Sequence, residues 1–299
     1  MFAAEYCGEC KKTVRPECRG SLSRAGVRKV HWECWSDCNL GCDFCYRTTA
    51  PPLDTADALL LLSTIKTGGV GSVVFAGGDP SLRRDLPTLV SAANDYELVS
   101  IVHTNAQWIT DSAWEALRLC DHIGLSLDSD VAEQHDHMRG TRGNFRHVLA
   151  MLDRCDRAGV RVSVRTVVSA VNFRNVHLVG AILERYSCVR SWKLLEFTAV
   201  EAGWDNRARH LLDHEEFDQA FCRAQSCYSG SGTVAKLTTS EKVNAYMMID
   251  SSGRVYGVTV EDSLRTGRHR RVASLMGDHL SFVSDNIVVV PSQHARVAR

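Results

Sequence analysis

From residue 30 onward, short runs of β-branched and apolar residues alternate with stretches whose apolar positions recur every three or four residues. Residues 30–35, 72–75, 98–103, 122–127, 160–168 and 191–197 read as strands. Helices are predicted over 54–66, 81–94, 111–119, 145–158 and 175–186, with Asp54 as an N-cap and Gly159 closing the fourth of them. Six strands joined by helical crossovers, each apolar on both faces, predict a parallel sheet. Right-handed crossovers curl such a sheet toward a TIM-like barrel, and six units leave it partial: an α/β fold, (β/α)6.

The ends break this rhythm. Residues 1–29 are weakly periodic, and Lys11, Lys12, Arg15, Arg19, Arg24, Arg28 and Lys29 face Glu17 alone over 11–29. After residue 200 come a polar stretch, a helix over 213–224, a Gly/Ser-rich link over 229–232 and a hairpin pairing 246–250 with 254–258. Three parts are expected: a basic cysteine-bearing extension (1–29), the partial barrel (30–200) and a small α+β extension covering the substrate (201–299).

Composition narrows the class. The 299 residues carry 35 Lys plus Arg against 35 Asp plus Glu, and 44% are apolar. That excludes general disorder and makes a broad nucleic-acid surface improbable. No apolar run approaches the roughly 18 residues of a membrane span, and 1–10 do not resemble a signal peptide, so a cytoplasmic protein without a membrane partner is expected. In a reducing compartment, twelve cysteines argue for metal or redox chemistry over a disulfide scaffold.

Cys38, Cys42 and Cys45 follow the first predicted strand in CxxxCxxC spacing. Three thiolates in one loop can hold three irons of a [4Fe–4S] cluster and leave the fourth open to a ligand. Structural zinc with Cys34 as fourth ligand is the alternative, disfavoured because Cys34 sits within the strand. Four more strand-end segments stand out: Gly77-Gly78-Asp79-Pro80, His103-Thr104-Asn105, Leu125-Ser126-Leu127-Asp128-Ser129, and His135-Asp136-His137-Met138-Arg139-Gly140.

Over about residues 30 to 200, these motifs and their order resemble the radical S-adenosylmethionine (radical SAM) superfamily. Gly77–Pro80 look like its GGEP motif, with Asp79 for glutamate. Residues 104–106 are similar to TNG, with Ala106 for glycine, although an Asx turn is an equal reading of Asn105. Residues 125–129 look like SLDS, and 135–140 like HDxxRG. The resemblance implies S-adenosylmethionine and a [4Fe–4S] cluster on Cys38, Cys42 and Cys45. Gly77, Gly78, Asp79 and Pro80 would then meet the methionine amino group, Ser126 and Asp128 the ribose side, and Arg139 the methionine carboxylate. Phe44 would shield cluster and adenine. Arg165 and Asn172 on and after the fifth strand, and Glu196 ending the sixth, are further cosubstrate candidates, although Arg165 pointing outward is an equal reading. A buried Arg165 would need a carboxylate or phosphate.

Cys7 and Cys10, with Cys18 and Cys34, suggest a possible second metal, zinc or an Fe–S cluster, against free thiols. Cys120, Cys155 and Cys188 look like inert core positions. The expected activity is reductive cleavage of S-adenosylmethionine to a 5′-deoxyadenosyl radical, fed by a donor such as flavodoxin or ferredoxin. Diffuse similarity of the C-terminal third to viperin-like members favours a nucleotide or sugar-like small molecule in biosynthetic tailoring. HDxxRG is equally at home in peptide-modifying members, so a peptide is the alternative, and a non-enzymatic zinc scaffold the distant one.

Overall fold

The computed structural model describes residues 27–245 and 247–257, Gly267, and three short terminal strands. Two of these, β1 (Tyr6–Cys7) and β2 (Lys12–Thr13), pair antiparallel. The barrel follows in chain order: β3 (Lys29–Trp35), α1 (Thr55–Thr67), β4 (Ser72–Gly77), α2 (Leu86–Asp95), β5 (Val99–His103), α3 (Asp111–Leu119), β6 (His122–Ser126), α4 (Ala132–Arg139), α5 (Asn144–Ala158), β7 (Val162–Val168), α6 (Val179–Leu183) and β8 (Val189–Glu196). Short helices α7 (Ala202–Asp205) and α8 (Arg207–His210) lead to α9 (His214–Cys227), β9 (Thr233–Leu237), α10 (Thr239–Ala245), β10 (Met247–Ile249), β11 (Arg254–Gly257) and β12 (Arg270–Ser274).

Strands β3 to β8 lie side by side in sequence order, all parallel, as the alternating pattern implies. The sheet then extends at both edges. β9 adds parallel to β8, and β10 adds parallel to β3 while making the expected hairpin with β11. Residues beyond 200 therefore complete the two flanks of the sheet. Local pattern does not encode such pairings, because their partners lie far away in the chain.

Local chemistry sets the helix ends. Asp54 caps α1 by accepting from the Asp57 amide at 2.9 Å, and Thr110 caps α3. The helix expected over 81–94 is split into a 3-10 turn, Pro80–Leu82, and α2, with Pro at the start of each. α4 has no counterpart in the sequence-based reading, because its polar HDxxR stretch carries almost no apolar periodicity.

The expectation of strands apolar on both faces holds fully for the outer face and only in part for the inner one. There Trp32, Phe75, Leu125, Val164 and Trp192 are buried against Leu61, Leu62, Leu89, Leu117 and Leu152 of the helices. Each such side chain contributes roughly 1.5–3 kcal/mol by leaving water. The inner face instead carries Lys29, His31 and Glu33 on β3, Arg165 on β7 and Lys193 on β8. The lumen mixes these polar groups with apolar ones such as Ala76, Val167 and Leu195.

Candidate active site

The loop after β3 turns back over the carboxyl end of the sheet and is held in many places. The Gly78 amide donates to Trp35 O at 2.7 Å and the Asp79 amide to Asp37 O at 2.9 Å. Arg47 reaches Ser36 O, while Thr48 gives Glu33 both its amide and its hydroxyl. A Cβ on Gly78 would lie 2.0 Å from Asp37 O, and Gly77, at φ 122°, 2.3 Å from Trp35 O. Only glycines let these two strand ends close together.

Cys38, Cys42 and Cys45 line one cavity of about 220 Å³, with Gly77 and Gly78 in its wall. All three carry free thiols. Asn105 Nδ2 lies 3.5 Å from Cys38 Sγ, and Arg139 Nη1 4.0 Å from Cys42 Sγ. Burial pushes the Cys42 thiol up to about 12 and raises that of Cys45. Those thiols would ionise only when a metal compensates their charge. Among the described residues, no three His, Cys, Asp or Glu side chains gather tightly enough for a single ion. Three thiols spread around a cavity, with N–H donors beside two sulfurs, suit a cluster better than zinc.

The strand-end motifs separate into wall and scaffold. Asn105, Ser126, Arg139, Arg165, Glu196 and Phe44 stand on the wall. Asp79 and Pro80 do not. The Asp79 carboxylate is fully buried and accepts from Ser81 N, Thr104 Oγ1 and Asn105 N at 2.8–2.9 Å. The Asp79 arm ties the ends of β4 and β5 together, and its carboxylate is turned away from the cavity.

Asp128 is also off the wall: one oxygen accepts from Val167 N, and the other sits 2.6 Å from Arg139 Nε. Asn172 is a turn-builder, donating to Asp128 O and Val167 O and accepting from Ser169 N. Arg139 thus uses Nε on a buried carboxylate, lies over the Phe44 ring at 5.2 Å, and keeps its terminal nitrogens for the cavity. Gly140, at φ 65°, ends α4 against Gly41, where a Cβ would lie 2.4 Å from Gly41 O. His135 and Asp136 hold α4 to its neighbours through Asp128 N, Asn144 and Phe145 N. Asn105 makes the Asx turn, its Oδ1 accepting from Gln107 N, while its Nδ2 reaches Cys38 Sγ and Asn39 Oδ1.

Arg165 points into the lumen, which removes the outward reading. Cys34 is fully buried on the opposite face of β3, and burial pushes its thiol up to about 12. It faces away from the cavity that Cys38, Cys42 and Cys45 line, which removes the zinc alternative built on it. Cys10 and Cys18 lie outside the described residues. Cys120, Cys155 and Cys188 are buried, with thiols likewise pushed up to about 12, as expected of inert core positions.

Several site residues escaped sequence reasoning. His210, fully buried on α8, bonds Asp43 Oδ1 at 2.9 Å, and Arg209 bonds Oδ2, so that Asp43 between two cluster cysteines is clamped from residues beyond the barrel. Lys242 on α10 reaches the wall and donates to Glu196 O and Thr198 Oγ1. His31 and Lys193 showed only as odd-numbered polar positions within strands.

The Radical SAM superfamily model matches residues 32–176, the span holding these motifs. The chain belongs to the radical SAM superfamily. Membership implies S-adenosylmethionine and a [4Fe–4S] cluster. This radical SAM chain is 28% identical to an Fe-coproporphyrin III synthase of Methanosarcina barkeri, over 52% of itself and 40% of that protein. It is 24% identical to an S-adenosylmethionine-dependent nucleotide dehydratase of Lacinutrix mariniflava, over 77% of itself and 50% of that protein. The chain spans about half the length of these curated relatives. Its fold matches that of Streptococcus suis SuiB bound to S-adenosylmethionine, with TM-score 0.69 and 15% identity over 89% of this chain and 69% of that one. Among the described residues no helix is long and apolar enough to cross a membrane.

Proposed function

We propose that the protein is a radical SAM enzyme acting on a nucleotide or sugar-like small molecule in biosynthetic tailoring, with Cys38, Cys42 and Cys45 as cluster ligands. The single observation that carries this is the convergence of the three thiols, the Gly77–Gly78 backbone, Ser126 and Arg139 on one cavity wall. Cys38, Cys42 and Cys45 would hold a [4Fe–4S] cluster, which would supply the electron for reductive cleavage of S-adenosylmethionine and so the means to take a hydrogen atom from the substrate. An external donor of flavodoxin or ferredoxin type provides that electron.

The protein's own contribution is placement. Gly77 and Gly78 bring bare backbone to the methionine amino group, and Arg139, braced by Asp128, offers its fork to the carboxylate. Ser126 faces the ribose. Phe44, packed with Met138, Phe197 and Ala199, keeps water from the reacting atoms. Glu196, its oxygens held by His214 and Thr239 N, bounds the substrate side with Lys242. A nucleotide is supported by the similarity, over 77% of this chain, to the nucleotide dehydratase of Lacinutrix mariniflava.

Anaerobic reconstitution followed by dithionite and S-adenosylmethionine tests the proposal. The wild type should form 5′-deoxyadenosine, and the variant with all three cysteines changed to Ala should form none and lose the cluster absorbance. Undiminished cleavage by that triple variant would sink the assignment.

A further inference from the structure

Below the cysteine wall, the inner face of the barrel gathers four basic side chains, while Glu33, the one inward acid of β3, is turned to Thr48. Arg165 and Lys193 are register partners on β7 and β8, and Lys29 and His31 are successive inward positions on β3. Arg165 Nη1 rests against the His103 ring, 2.5 Å from Nδ1 and 2.9 Å from Nε2. The ring has room there only because the facing residue is Gly124, on which a Cβ would lie 2.1 Å from His103 Cδ2. Among the described residues, no carboxylate stands within ion-pair distance of Lys29, Arg165 or Lys193. Burial, reinforced by Arg165, lowers both lysines, Lys193 to about 8, and burial with the same cations lowers His31 and His103 well below the usual imidazole range. The cavity that begins at the cysteines reaches His31, His103 and Arg165.

Partly buried like charges repel one another and forfeit hydration, so an arrangement of three is a standing cost unless an anion joins it. A monocarboxylate would leave most of that charge uncompensated, whereas a phosphate group carries up to two charges and several acceptor oxygens. Neutral imidazoles add N–H donors at the same place.

We propose that the lumen holds the phosphate of a phosphorylated substrate, clasped by Arg165 with Lys193 and Lys29 behind it, so that the remainder of the substrate points up toward the cysteine wall. The proposal rests on the radical SAM reading only for what lies above the anion. It gives that reading a substrate class, a nucleotide or a sugar phosphate.

Thermal unfolding of the reconstituted full chain under anaerobic conditions tests it, with inorganic pyrophosphate as probe, against sodium chloride of equal ionic strength and against succinate. Pyrophosphate should raise the wild-type midpoint above both controls. In Lys193→Met the anion-free midpoint should hold or rise, because a repelling charge is gone, while the Kd for pyrophosphate weakens about tenfold or more. Lys193→Arg, which keeps the charge, should retain the shift. Uridine diphosphate and glucose 1-phosphate as added arms separate the nucleotide source from the sugar source. A pyrophosphate effect no larger than that of salt or succinate, or one undiminished in Lys193→Met, overturns the proposal. The wild-type arm decides even if the variant fails to fold. Formation of 5′-deoxyadenosine by the wild type without added phosphate is read separately: its absence would sink the radical reading and leave the anion result standing.

Discussion

The two faces of the same strands obey opposite rules. On β8, Trp192 points outward, fully buried, with its Nε1 satisfied by Thr166 Oγ1 at 2.9 Å, while Lys193 beside it points into the lumen among other cations. On β3, Val30, Trp32 and Cys34 enter the core, whereas Lys29, His31 and Glu33 face inward. The outer face secures the fold by excluding water. The inner face spends part of that stability to keep charge where a ligand can meet it, the trade expected where local rules are broken at a functional site.

The sharpest way to break this contrast is to truncate neighbours of opposite orientation. Trp192→Ala should cost about 3–5 kcal/mol in urea unfolding, because it leaves a buried cavity, while Thr166 Oγ1 loses one donor and keeps its bond to Leu127 O. Lys193→Met should cost nothing or stabilise. Equal losses would mean that the inner face is packing like the outer one.

At the rim between the faces, Arg139→Lys keeps the charge but loses the fork and the brace on Asp128. It should weaken S-adenosylmethionine binding by about 1–3 kcal/mol by calorimetry, with the cluster intact. Unchanged affinity would place Arg139 outside the site.

The pH dependence carries the same contrast. Folding lowers Lys193 from 10.5 to about 8, so its cost is full while it is charged in both states, below about pH 8, and fades as pH rises toward 10.5. Stability of the wild type relative to Lys193→Met should therefore climb between pH 8 and 10.5, measured as the difference in urea midpoints. A flat difference would show that Lys193 is no more acidic folded than unfolded.

The smallest effect concerns Ala106, held at φ 58° where the family motif has glycine. Ala106→Gly should raise stability by about 1 kcal/mol or less, since relief of left-handed strain outweighs the added chain entropy and lost methyl burial only narrowly. A clear loss in the melting midpoint would show that methyl packing dominates.

What was legible follows from where the information sits. The strands β3 to β8, the Asp54 cap, helix α3 over Asp111–Leu119 and the cysteine motif are written in contiguous residues, through periodicity, capping chemistry and spacing. The motif order carried Gly77, Gly78, Asn105, Ser126 and Arg139 to the cavity wall. Misplaced were Asp79, Asp128 and Asn172, whose side chains turn to Thr104, Arg139 and backbone carbonyls once strand ends meet. A motif specifies that a carboxylate is present, and its neighbours decide where it points.

By itself the sequence determined the parallel barrel, the thiol loop and the superfamily, because each depends on local spacing or on residue order along one chain. Tertiary structure alone decided which parity of each strand faces the lumen, since alternation is symmetric until the helices choose a side. It also brought Lys29, Arg165 and Lys193 together from three strands, buried Cys34 away from the cavity of Cys38, Cys42 and Cys45, and set His210 against Asp43. Such groupings arise from closure of the sheet, and no stretch of chain holds more than one of their members.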